Sequence, residues 1–276
     1  MIDRAGRRAL RGGLVAIGVL AGLALLGPAL APHDPREHVG FPANSLRPPG
    51  GDFLLGTDFY ARDILSRLLA GTPVSLGIGF ASAALSVTLG TLLGAVAGYR
   101  GGLLDAAVLR LVDLLLAFPR LVLLLLLVAF FQRSIPLVVL VIGATGWMAT
   151  ARIVRAEVQS LRARPFVEAG RALGLSDRRL LFRHVLPNCA GPIFVSASLS
   201  VAAGILLEAS LSFLGLGVPP PAPSWGGMLN EGRDFLRQAP WISTFPGLMI
   251  LGAVAAFQIL GNGMRRALGG ARRIAP

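Results

Sequence analysis

The stretch EAGRALGLSDRRLLFRHVLPN, residues 168–188, is a dense polar island lying between long apolar runs. It holds Arg171, Arg178, Arg179 and Arg183 beside Glu168 and Asp177. Its spacing predicts a short helix over about 165–173, opened by Pro165 in the first turn and stopped by Gly174, a residue suited to the left-handed terminator position. Ser176 is placed to cap a second helix whose first turn contains Asp177. In that helix Leu180, Leu181, His184 and Val185 share one face, and Arg178, Arg179 and Arg183 lie elsewhere. Pro187 is expected to end it. A basic, partly apolar helix–glycine–helix knob between two membrane spans is suited to docking on another protein.

The surrounding composition fixes the class. The chain has 276 residues, 54% hydrophobic and 14% charged, with mean hydropathy +0.69, so it reads as an all-α integral membrane protein. A formal charge of +12 would suit nucleic acid on a soluble domain, but here the basic residues sit in short connections between apolar segments. No nucleic-acid partner is expected; membrane lipid is. All 26 basic residues are arginine, and without lysine there is no Walker A loop for ATP. The single cysteine, Cys189, excludes an internal disulfide and a multi-cysteine metal site. His33 and His38 lie five apart with no further ligand pattern, so neither metal nor cofactor is expected.

Residues 1–31 read as an amino-terminal tail with Arg4, Arg7, Arg8 and Arg11, then a first membrane helix. Ala29-Leu30-Ala31 also fits the end of a cleavable signal peptide, although the apolar run is long for one. Residues 32–72 form an exported, Pro- and Gly-rich segment in which Asp58, Arg62 and Asp63 can pair locally or face a soluble partner. A membrane core follows over 73–264, with the basic loop at about 156–189 and a basic tail at 265–276. The second span is read over about 73–98, where Gly90, Gly94 and Gly98 form a small-residue face for close helix packing.

The third span ends near Phe131, and Pro119 is expected to kink it. Arg110, Asp113, Ala117 and Arg120 fall on one helical face, as a structural ion pair or as the lining of a path. The fourth span starts at Ile135, the fifth covers about 192–217 and the sixth about 245–260, giving about six in all. On the fifth, Ser196, Ser200, Gly204, Glu208 and Ser212 recur every four residues. Glu208, the one carboxylate there, together with Ser212 and Asp113, is a candidate for the translocation path or for a packing contact.

The knob resembles the EAA loop of ABC-importer permeases: Glu-Ala-Ala, three residues, Gly, nine residues, then an ending in Leu-Pro. Glu168, Ala169, Gly170, Gly174, Leu186 and Pro187 hold those places, with Gly170 in place of the third-position alanine and His184 in place of an aliphatic residue. The His184-Val185-Leu186-Pro187-Asn188 ending is similar to the dipeptide/oligopeptide/nickel branch of these permeases. LGTDFYARDILSR from Leu55, LSFLGLGVPPPAPSWGGML from Leu211 and APWISTFPG from Ala239 resemble the same branch. Ala61 stands where a glycine is usual, and Asn262 and Arg266 stand where aspartates are common. The resemblance implies a type I ABC importer permease fold and a path for di- or oligopeptides or a related small solute such as a nickel complex. It further implies a second permease subunit as a heterodimer, two ATPase subunits that hydrolyse the ATP, and an extracytoplasmic solute-binding protein. The chain itself is then no enzyme, and residues 168–188 couple it to the ATPases.

Arginine counting orients the chain. With the amino terminus inside, the inner segments hold Arg4, Arg7, Arg8, Arg11, Arg100, the eight arginines from Arg152 to Arg183, and Arg265, Arg266, Arg272 and Arg273. The outer segments hold fewer: Arg36, Arg47, Arg62, Arg67, Arg233 and Arg237, with Arg133 in the short turn between the third and fourth spans. Both termini and the knob are therefore expected in the cytoplasm of a bacterial inner-membrane protein. Two other classes compete. An ion-coupled secondary transporter would use Asp113 and Glu208 as proton sites, and an intramembrane protease would need Gly-x-Ser-x-Gly or His-Glu-x-x-His, which are absent.

Overall fold

Each apolar run becomes a helix, and the main departures from the sequence reading come at prolines. The structure, a computed structural model, describes residues 4–272. Helix α1 covers Arg4–Leu26 and runs into a 3-10 turn at Gly27–Leu30. Helix α2 covers Ile64–Arg100, starting well before the expected position because Asp63 accepts from the Ser66 amide at 2.9 Å and caps it; Pro73 lies inside the helix. Helices α3 (Gly102–Leu116) and α4 (Arg120–Ala129) meet at an angle of 83°. This is a break rather than the expected kink: Pro119 supplies no N–H at the junction. Asp113 and Arg120 consequently belong to different helices and do not share a face.

Helix α5 (Ile135–Ala144) is capped by Ser134 and gives way at Thr145 and Gly146 to α6 (Trp147–Arg162). The knob contains α7 (Pro165–Ala172) and the single turn α8 (Asp177–Arg179). Helix α9 covers Ala190–Phe213, α10 Trp225–Gly232 and α11 Trp241–Arg272. Among the described residues, five helices are long and apolar enough to cross a membrane, or six if the bent pair α3–α4 counts as one. The basic tail expected at 265–276 continues α11 to Arg272, and Arg273 lies outside the described residues.

The tightest packing is α2 on α6. A Cβ at Gly90 would sit 2.6 Å from the Trp147 carbonyl oxygen, and one at Gly98 2.6 Å from that of Arg155. Gly94 meets the Ala151 backbone in the same way. The small-residue face read from the sequence thus brings two backbones together, the contact that stabilises helix pairs in lipid. Helix α1 lies along α11, with Gly13 against Leu260 and Gly263 against Leu10. Helix α9 joins α11 through Ser198 Oγ, which donates to the Phe257 carbonyl at 2.6 Å. The start of α1, the start of α9 and the end of α11 therefore share one end of the bundle.

At the other end, segments 32–63 and 214–240 close over the helices. Asp58 accepts from Arg62 Nε at 2.7 Å and Arg67 Nη1 at 2.5 Å, and Glu231 accepts from Arg62 Nη2 at 2.7 Å and Arg67 Nη2 at 3.0 Å. The Asp58–Arg62 pair was legible locally, whereas Asp63 is used as the cap of α2. Partial burial pushes the Glu231 carboxyl up, but Arg67 and Arg62 outweigh it and hold it below the usual carboxylate range. Ala61 has φ +58°, so the position where the resemblance leads one to expect glycine is a left-handed one. His33 and His38 serve separate contacts, His33 stacking on Phe53 and His38 bonding the Tyr60 carbonyl at 2.9 Å.

Candidate functional site

The knob is a folded unit with its own core. Gly174 has φ +77°, the left-handed turn that the sequence placed between two short helices, and Ser176 Oγ accepts from the Arg179 amide at 3.4 Å. Leu180, Leu181 and Val185 are buried and His184 is half-buried, while Arg178, Arg179 and Arg183 are exposed. The inner face packs with Val167 of α7 on Ala95 and Tyr99 of α2 and on Val154 and Val158 of α6. Burying each such aliphatic side chain contributes about 1.5–3 kcal/mol. Gly170 lets α7 lie close: a Cβ there would sit 2.6 Å from Leu180 Cδ2.

Pro187 does not end the second helix. The chain widens into a π-turn over Leu180–Val185, tightens to a 3-10 turn over Leu186–Cys189, and enters α9 without leaving helical geometry. In a regular α-turn the proline ring would strike the carbonyl four residues back, and the i→i−5 bond from the Leu186 amide to the Leu181 carbonyl relieves that contact. Side chains take up carbonyls of the disturbed turn: Asn188 Nδ2 donates to His184 at 2.6 Å and Cys189 Sγ to Val185 at 3.5 Å. The consequence is mechanical. The lower half of the knob and the membrane helix α9 form one continuous rod.

A polar brace fixes the knob to α2. Tyr99 Oη donates to Asp177 Oδ1 at 2.9 Å, and Arg171 Nη2 donates to Tyr99 Oη at 3.4 Å. Arg171 and Arg162 both lie over the Tyr99 ring, at 5.6 and 5.8 Å from its centroid. The Tyr99 hydroxyl first, then Asp177 and Glu168, hold the Arg171 guanidinium above its ordinary pKa. Tyr99 is a residue that the sequence reading missed; its only local signal is an aromatic at the end of a glycine-spaced helix. Glu168 and Ala169 are exposed, and Glu168 borders a hollow of about 380 Å³ with Gln159, Arg162 and Arg171. On the outer side Phe166, Leu173 and Phe182 are exposed among the arginines, and Ser176, Arg178, Arg179, Phe182 and Arg183 line a second hollow of about 420 Å³.

Of the three residues considered for a path, Glu208 and Ser212 are brought together and Asp113 stands apart. Asp113 lies exposed on α3 and pairs with Arg152 of α6. Glu208 is wholly buried; it accepts from Ser212 Oγ at 2.7 Å and Ser75 Oγ at 3.3 Å. Ser75 Oγ in turn accepts from the Trp225 amide at 3.1 Å. Glu208 and Ser212 thereby tie α9 to α2 and α10 inside the chain's own packing.

A bundle of membrane helices interrupted by a charged, separately braced knob fits the class that the sequence suggested: a multi-pass permease subunit of an ATP-driven importer. Comparison with known proteins agrees. The chain belongs to the family of binding-protein-dependent transport system inner membrane components, whose model matches residues 90–273. It is 40% identical over 262 residues to the dipeptide transport system permease protein DppC of Haemophilus influenzae, covering 93% of this chain and 88% of that protein. It is 42% identical to the di/tripeptide permease DppC of Pseudomonas aeruginosa (93% and 86% covered) and 37% identical to the oligopeptide permease OppC of Bacillus subtilis (93% and 83%). Among solved structures, an inward-facing form of the MetNI methionine ABC transporter superposes with TM-score 0.54 at 17% identity, covering 76% of this chain and 96% of that one, and so shares the fold.

Proposed function

We propose that this permease carries peptides, as one half of a heterodimeric permease pair served by two ATPase subunits and an extracytoplasmic solute-binding protein. The peptide cargo rests on the relatives, which are named for dipeptides, di/tripeptides and oligopeptides. The observation that carries the mechanism is the continuity of the knob with α9 through the π-turn. Residues 168–188, including Glu168, Ala169, Gly170, Gly174, His184, Leu186 and Pro187, form the ATPase-coupling element. Closure of the ATPases pushes the exposed face of the knob, and the rod transmits the displacement to the transmembrane bundle. This is a two-state element biased from outside the membrane. The knob shares its end of the bundle with the start of α1 and the end of α11, which supports placing all three, with their arginines, in the cytoplasm.

The test separates this reading from a proton-coupled transporter. In cells or proteoliposomes carrying the full complex, peptide uptake should stop when ATP is depleted and continue when a protonophore is added with ATP held constant. Glu208→Gln should assemble and keep uptake to within about twofold, because a buried amide oxygen still accepts the serine hydrogen bonds. Uptake that ignores ATP, follows the proton gradient and disappears in Glu208→Gln would return Glu208 to the path and overturn the importer mechanism.

A further inference from the structure

Arg120 begins α4 at the break in the third span, and its guanidinium reaches the bundle interior, where Nη2 donates to the Ile142 carbonyl at 3.0 Å. Its Nε is buried with no hydrogen-bond partner, and so is the nearby Ser86 Oγ. Both residues line a small cavity with Ser82 of α2, Gly146 at the α5–α6 break and Ser200 of α9. It offers about 20 Å³, room for about one water-sized group, within about 220 Å³ of free space that includes its open mouth. Gly146 keeps that space open. A Cβ there would meet Ser86 Oγ at 2.5 Å and Arg120 Nη2 at 2.9 Å.

No residue lining the cavity is acidic. A guanidinium inside a membrane bundle, anchored by one neutral carbonyl and near the unpartnered Ser86 hydroxyl, is costly to maintain unless an anion visits it. Its positive charge and unused donor suit a carboxylate, which accepts charge-assisted N–H bonds. We propose that Arg120, with Ser86 and Ser200, forms a subsite for the carboxylate of the transported solute. The subsite rests on the peptide-importer reading above, since a peptide with a free carboxyl end supplies the group. It gives the permease a selectivity of its own, for solutes carrying an anionic end, at the point where the broken third span approaches α2 and α9.

The experiment uses the full complex in proteoliposomes with its binding protein, and labelled dialanine and dialanine amide as probes. Arg120→Gln should lower ATP-driven dialanine uptake roughly tenfold or more, Arg120→Lys by no more than about threefold, and neither should change amide uptake by more than about twofold. Glutamine can still donate to the Ile142 carbonyl but carries no charge, so a merely structural arginine predicts that Gln does as well as Lys. Each variant is compared with wild type one solute at a time, so delivery by the binding protein cancels. Retained dialanine uptake in Arg120→Gln, an equal fall in both variants, or acid and amide falling in proportion overturns the subsite. If the wild type does not carry the amide, the order of Gln and Lys on dialanine decides alone. Failure of the wild type to take up dialanine with ATP is a different result; it overturns the importer reading, and the subsite with it.

Discussion

Gly174→Val is expected to abolish peptide uptake while leaving the permease inserted and its transmembrane helices intact. The residue sits at φ +77° with no atom within 4 Å of a Cβ placed there, so the whole effect of valine is backbone strain rather than a clash. A left-handed conformation costs a non-glycine residue roughly 1–2 kcal/mol, and a branched Cβ stands at the upper end. At roughly 2 kcal/mol the population of correctly turned knob falls about thirtyfold. Relaxing the turn moves α7, with Glu168 and Phe166, away from the helix that continues into α9. Asparagine tolerates the left-handed region, so Gly174→Asn should recover most of the uptake. Normal uptake and normal co-purification of the ATPases with Gly174→Val would mean that the turn is not needed for coupling.

Gly94→Leu should fail earlier, at folding. Its Cβ would press on the Ala151 backbone, with Ala151 Cα at 3.0 Å, and neither helix has a side chain there that can yield. Separating α2 from α6 also strips the support from the knob, since Ala95, Tyr99, Val154 and Val158 form the floor of its core. Overpacking of this kind costs roughly 3 kcal/mol or more when backbone must move. The expected result is loss of monodisperse permease on size exclusion in detergent, with little protein reaching the membrane in folded form. Gly77→Leu on the same helix is the control: no atom lies within 4 Å of its Cβ, and it should behave as wild type. Equal yields from the two variants would contradict the close-approach account.

What the sequence made legible was local chemistry. The Gly174 turn, the Ser176 cap, the buried face of Leu180, Leu181 and Val185, and the Gly90–Gly94–Gly98 face all depend on residues within one or two helical turns of each other. The remainder depended on distant partners. Glu231 meets Arg67 across 164 residues and Tyr99 meets Asp177 across 78, and no spacing rule reaches that far. Two prolines were read with the right chemistry and the wrong outcome. Pro119 breaks its span by 83° rather than kinking it, whereas Pro187 is absorbed by a π-turn and ends nothing. Glu208 was legible as an intramembrane acid, and Ser212 stands one turn on in its four-residue stripe, but the contact with Ser75 depends on how α2 crosses α9, which the stripe does not encode.

The central claim is that the exposed face of the knob meets an ATPase. Leu173 is the residue to ask, because it lies at the tip of the turn and is 82% exposed. A photo-activatable side chain placed at position 173 in the full complex, in native membranes, should form an adduct whose partner is an ATPase subunit, with a yield that changes when ATP is trapped. An adduct with the solute-binding protein instead, or none with an ATPase in any nucleotide state, would contradict the account.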